Sequence, residues 1–372
     1  MAKRGENIYK RKDGRWEGRI LKKDGKYQYF YAQTYKETKE KMRLFLEEKK
    51  YHEMKQAIRG QDAAGLFQNW LNGEVMFRVK PSTYESYYYC INKHIIPFFK
   101  LERNKRITEG TILRFMQELK ENQELALSSK KKICMILKIA LKDILKEKSN
   151  CLALIALIKL PVVQVKEVPI FSIKEQRIIE RAVLKFGDSR AIGILFCFYT
   201  GLRLGELCAL KWSDIDIDSA TMSITKTVAR VKDFSVKNGK SKLMVGSPKS
   251  SKSVRRIPLP EFLLDMLKEI RRSVIYKDFY VFSGSDEPID PRTYQNFYRK
   301  ILEKSDLPVR KFHAIRHTFA TRALELGIDV KTLSEILGHS NVSITLNIYA
   351  HSLMEHKKTA IEKFNLLYKK TV

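Results

Sequence analysis

Between residues 160 and 172 the chain reads LPVVQVKEVPIFS, two prolines bracketing alternating valines. Proline lacks an amide donor and its ring clashes with the preceding helical turn, so no regular helix crosses this stretch and it should run extended. It looks like the linker to the last domain. A length of 372 residues agrees, being too long for one ordinary core.

The bodies differ in periodicity. Residues 8–33 read IYKRKDGRWEGRILKKDGKYQYFYAQ, with Asp13-Gly14 and Asp24-Gly25 as turn signals between aromatic and β-branched runs. That pattern predicts a three-stranded antiparallel sheet. Thr34 and Glu37 then predict a capping box for a helix to about residue 58, with Met42, Phe45 and Leu46 on its apolar face. Residues 61–165 carry apolar positions three and four apart in GLFQNWLNGEV, STYESYYYCINKHIIPFF, TILRFMQELKENQ and SSKKKICMILKIALKDILKEK. They form an all-α domain whose last helix presents Lys130, Lys131, Lys132, Lys138 and Lys142 on its polar side. From Ser172 the pattern is mixed and mostly helical: a capping box (Ser172, Glu175), an apolar helix AIGILFCFYT ended by Gly201, strands in MSITKTVARV, SKLMVGSP and VRRIPLP, then helices again. The expected division is thus 1–60, 61–165 and 166–372.

The formal charge is +29 and the pI about 9.8. It is spread as +9, +7 and +13 over the three segments, which excludes a single basic tail and implies a long polyanionic partner, double-stranded DNA before all others. Trp16, Arg15, Arg19, Lys22, Lys23 and Lys26 lie on or near the predicted strands, so the small sheet is a candidate to enter a DNA groove. A membrane-surface role would need an amphipathic anchor or lipidation signal, which MAKRGENIYK does not offer. The apolar run CLALIALI falls well short of the roughly 20 residues that span a bilayer, and belongs in a core. Five cysteines without a CxxC pair sit in apolar patterns, as buried thiols of a cytoplasmic protein would.

Four motifs occur in order in the last segment: TGLRLGEL, SPKSSKSVRRIPL, HAIRH and LGHSNVSITLNIYAH. Together they resemble the active-site motifs of the tyrosine recombinases, the phage-type integrases. The basic sheet, helical domain and final domain are similar to the arm-binding, core-binding and catalytic parts of phage and conjugative-transposon integrases. The resemblance implies Arg203, Lys249, His313, Arg316, His339 and Tyr349 as the active site, with Tyr349 as nucleophile. It further implies integration and excision of a mobile element through a Holliday junction, a homotetramer on core and arm sites, and an excisionase or DNA-bending protein as accessory. No metal or ATP is needed, because a phosphotyrosyl bond keeps the energy of the phosphodiester it replaces.

The residues themselves suit that chemistry. Two guanidinium forks can hold the non-bridging oxygens of one phosphate while negative charge builds in the transition state. Lys249 is the implied general acid, with Lys240, Lys242 and Lys252 nearby as alternatives. His313 is the candidate acid/base and His339 a phosphate donor, although either could instead be a satisfied structural imidazole. Glu206 reads as a partner that orients an arginine, and His317 as a core hydrogen-bonder. A zinc site at His313 and His317 lacks the glutamate of HExxH, with Ala314 in its place. The rivals are a type IB topoisomerase and a non-catalytic DNA-binding regulator. After Tyr349, apolar Leu353, Ala360, Ile361, Phe364 and Leu367 recur at helical spacing, a pattern that fits docking on a neighbouring subunit or on its own domain equally.

Overall fold

The computed structural model describes residues 7–21, 27–46, 62–146, 150–163, 169–234, 241–248, 250–272, 276, 278–343, 345–346, 361–362 and 364–365. The chain forms two compact units, Met1–Val163 and Gln164–Val372.

In the first unit, β1 (Ile8–Lys10), β2 (Trp16–Leu21) and β3 (Tyr27–Ala32) pair antiparallel in sequence order. Gly14 turns the first hairpin at φ +86°, which costs glycine little; the Asp24-Gly25 turn lies outside the described residues. Residues 35–46 form α1, capped where the Thr34 hydroxyl accepts the Glu37 amide at 3.2 Å. α1 covers one sheet face through Phe45 on Phe30, and a Cβ on Gly18 would collide with Met42 Sδ, so glycine is what lets helix and sheet approach. Trp16 packs edge-on against Tyr35 on this covered side, so it serves the packing rather than an open DNA-facing surface. Leu46 is exposed, off the apolar stripe. On the other face Tyr9, Tyr29 and Tyr31 are exposed and interleave with Arg11 and Arg19, which the buried Glu17 carboxylate clamps at 2.6 and 2.7 Å.

The helical part comprises α2 (Ala63–Trp70, running on to Arg78), α3 (Pro81–Cys90, running on to Lys100), α4 (Glu109–Glu121), α5 (Leu127–Ile144) and α6 (Cys151–Ala156). Phe67, Phe98, Phe99 and Phe115 stack at its centre. Lys130, expected on the polar face of α5, is buried instead, its ammonium donating at 2.7 Å to the Lys120 carbonyl. It satisfies an oxygen that the end of α4 leaves without a helical partner. Of CLALIALI, Cys151, Leu154 and Ile158 are in the core while Leu152 points to solvent.

The second unit holds α7 (Ile173–Phe186), α8 (Ser189–Thr200), α9 (Leu204–Ala209), β4 (Ile215–Asp216), β5 (Thr221–Ile224), β6 (Thr227–Lys232), β7 (Ser241–Gly246), β8 (Arg255–Pro258), α10 (Glu261–Arg272), α11 (Pro291–Lys304), α12 (His313–Glu325) and α13 (Val330–Leu337). The Ser172–Glu175 capping box forms in both directions. MSITKTVARV is two strands rather than one: β5 joins β4 and β8, whereas β6 pairs with β7 in a separate hairpin. Apolar α8 runs through the core, with Phe196 against Phe282 and Phe198 against Phe171. All five cysteines are buried free thiols. Among the described residues no helix is long and apolar enough to cross a membrane. Of the proline-bracketed stretch, residues 161–163 and 169–172 are non-helical and 164–168 lie outside the described residues.

Candidate active site

α8 ends because Gly201 takes φ +64°, and two residues later Arg203 is the N-cap of α9. The Glu206 carboxylate, in the first turn of α9, accepts the Arg203 amide at 3.0 Å and its guanidinium at 2.7 Å. Glu206 is 2% exposed. Burial alone would raise its pKa, but the hydrogen bond and charge of Arg255, with the charge of Arg203, outweigh that and hold it below the usual carboxylate range.

α12 carries Arg316, whose side chain is likewise only 2% exposed and donates to the carbonyls of Gly201 at 2.7 Å and Leu337 at 2.6 Å. Arg203 reaches the carbonyl of Gly338 at 3.1 Å, and Arg255, on β8, that of Ile336 at 2.5 Å. Three successive main-chain oxygens at the end of α13 thus each take one arginine. A helix C-terminus leaves such oxygens unpaired and carries partial negative charge, so it gathers cations.

His339 comes directly after this end. Its Nδ1 lies 2.8 Å from the hydroxyl of the buried Thr345, and its pKa is lowered to about 4 by burial, then by Arg316, Arg203, His313 and Arg255. His313, first residue of α12, is also lowered to about 4, by burial around the ring and by His317, Arg316 and Arg203. His313 is exposed, so water screens part of that effect, whereas His339 is half-buried. The lowering favours the neutral form of both imidazoles. His317 is buried, with its ring edge-on to His313 at 4.7 Å. Among the described residues no three His, Cys, Asp or Glu side chains form a group that could hold a metal ion.

The structure therefore brings together four of the six expected residues, Arg203, His313, Arg316 and His339, close enough for their charges to act on one another. Lys249 and Tyr349 lie outside the described residues. Glu206 has the orienting role its motif suggested. The sequence reading missed Arg255 and Thr345. Alternation along β8, which turns Arg255 inward and Arg256 outward, was the available signal for the first.

The phage integrase family model matches residues 183–356, and the model of the phage integrase N-terminal SAM-like domain matches residues 65–120. The chain belongs to the phage integrase family of tyrosine recombinases. A tyrosine recombinase XerC-like protein of Caldanaerobacter subterraneus subsp. tengcongensis is 41% identical over 217 residues, 54% of this chain and 55% of that protein. The chain thus spans about half the length of that curated relative. The ICEBs1 integrase of Bacillus subtilis is 26% identical over 306 residues, covering 77% of this chain and 78% of the relative. In fold, this tyrosine recombinase is similar to the Tn1549 transposon integrase in complex with a circular intermediate DNA, at a TM-score of 0.60 and 20% identity over 82% of this chain and 100% of that one. It is also similar to a lambda integrase tetramer bound to a Holliday junction, at 0.53 and 19% over 90% and 96%.

Proposed function

We propose that this tyrosine recombinase is a site-specific DNA recombinase that integrates and excises a mobile element. The observation that carries the reading is the convergence of two guanidiniums and two neutral imidazoles, drawn from α9, α12 and the end of α13, on one place. Two guanidiniums and two neutral hydrogen-bonding rings at one point suit one phosphate, while the remaining charge suits the length of a duplex.

In this reading the Tyr349 phenol attacks the phosphorus, the bond to the 5′ oxygen breaks, and Lys249 protonates the departing 5′ hydroxyl. Arg203 and Arg316 hold the non-bridging oxygens. Neutral His313 can take the phenolic proton, and His339, in the tautomer whose Nδ1 accepts from the Thr345 hydroxyl 2.8 Å away, would donate from Nε2 to phosphate. A 5′ hydroxyl from a second duplex reverses the step, and neither metal nor ATP enters.

Residues 61–165 and 166–372 would grip the core site and residues 1–60 an arm site. The exposed sheet face supports the last assignment, since Arg11 lies over Tyr31, and Arg19 over Tyr9 and Tyr29, as pre-set cations among stacking surfaces. A homotetramer with an excisionase or DNA-bending accessory would carry out strand exchange. Ile361 and Phe364, three apart and exposed, are consistent with a tail that docks on a neighbouring subunit; Leu353, Ala360 and Leu367 lie outside the described residues.

Trapping on a nicked duplex tests the proposal. The expected product is a covalent protein–DNA adduct mapped to Tyr349, absent in Tyr349→Phe while duplex binding persists. An adduct on another residue, or none, overturns it, and relaxation of supercoiled DNA lacking paired sites would favour a topoisomerase.

A further inference from the structure

We infer that Arg255 is a positioning residue of the active site, which sets Arg203 and the turn bearing His339 relative to each other. The inference rests on the recombinase reading above.

Arg255 is an unusual cation for a strand, since its side chain is only 6% exposed and, apart from a bond to the nearby Ser253 carbonyl at 3.0 Å, its hydrogen bonds go to groups that also serve the site. Its Nη2 and Nη1 donate to the two oxygens of Glu206 at 2.9 and 3.1 Å. Glu206 is the same carboxylate that holds the Arg203 guanidinium at 2.7 Å. Its Nε donates to the Ile336 carbonyl, two residues before the Gly338 carbonyl that receives Arg203 and three before His339. A Cβ on Gly338 would come within 3.0 Å of the Arg255 Cδ, so the turn lies directly against this side chain. The neighbouring residues extend the contact: Ser253 Oγ donates to the Gly338 carbonyl at 3.5 Å and Lys252 Nζ to that of Ser340 at 3.0 Å.

Residues 252, 253 and 255 therefore stitch the segment entering β8 to the backbone of 336–340, and Arg255 alone also ties that seam to Glu206. Only a planar fork with several fixed donors can serve a carboxylate and a carbonyl together. Without it, Glu206 keeps the amide and guanidinium of Arg203 but loses its tie to β8, so Arg203 follows a carboxylate no longer fixed to the turn at 336–340.

The test is single-turnover adduct formation by the full chain at saturating enzyme on a nicked duplex, with the rate constant read separately from the amplitude. A residue that only supports folding would lower the amplitude and leave the rate constant of the folded fraction unchanged. R255M should slow the rate constant about 100-fold, the scale of a misplaced catalytic group, and R255K about tenfold, because an ammonium restores charge without the fork. In an E206Q background, adding R255M should slow the reaction by less than about threefold, since both changes act through one carboxylate. A rate constant for R255M within about threefold of the unaltered chain overturns the inference, as does full multiplication of the two effects. Should R255M not fold, R255K decides, and an unslowed lysine variant would equally overturn it. Failure of the unaltered chain to form any adduct is a separate result, which removes the recombinase reading and the inference with it.

Discussion

Arg316 is buried, and its fork is occupied by the carbonyls of Gly201 and Leu337. Those bonds fix the guanidinium plane before a phosphate arrives. Lysine keeps the charge but offers a rotating point donor that cannot span both oxygens. Arg316→Lys should therefore slow adduct formation by about 100-fold or more, while duplex affinity in a titration stays near that of the unaltered chain. The imidazoles give a pH prediction. His339 falls from an ordinary 6.5 to about 4 on folding, so between these values the unfolded chain binds more protons. The stability linked to a neutral His339 is complete above about pH 6.5 and is lost as pH falls towards 4. Urea midpoints measured from pH 7.5 to 4.5 should show this decline, and His339→Gln should make it shallower, with His313 supplying part of what remains. Motif spacing marks Arg203, His313, Arg316 and His339, which the fold brings near one another. Arg255 was not legible, because its carboxylate partner comes from a helix 49 positions earlier and only folding reveals which of two adjacent arginines turns inward.

At the scale of elements, the end of α8 controls the site. Gly201 combines φ +64° with a carbonyl that accepts Arg316, and a Cβ there would stand 2.5 Å from the Phe319 ring. Gly201→Ala should destabilise the second unit by about 2–4 kcal/mol, the combined scale of a left-handed alanine and an overpacked core, read as an earlier unfolding transition. Capping boxes and glycine ends were legible because they are local: Ser172 with Glu175 and Gly201 after Thr200 need only neighbours in sequence. The split of MSITKTVARV into two sheets was not, since nothing in alternating β-branched residues says that β5 will find β8 while β6 finds β7. The side of the sheet that Trp16 takes was open in the sequence for a related reason. Period-two alternation gives two faces, but which one α1 covers depends on a contact such as Met42 against Gly18.

For the whole molecule, +29 distributed over all three segments predicts strong salt dependence. Displacing the counterions of 6–10 phosphates should weaken duplex affinity by about 10³–10⁵ between 50 and 200 mM salt, measurable by fluorescence anisotropy. A loss of less than tenfold would leave this charge without its assigned role. The boundary between the two units, at Val163 and Gln164, falls within the stretch that the two prolines bracket.

The three arginines that share the end of α13 are spaced by consecutive peptide units of one helix terminus, not by the side chains that helix carries. The exposed positions of α13, Lys331, Thr332 and Glu335, are accordingly free to drift over generations without altering the pitch at which positive charge is presented. An inserted or deleted residue within the same eight would shift the whole register at once.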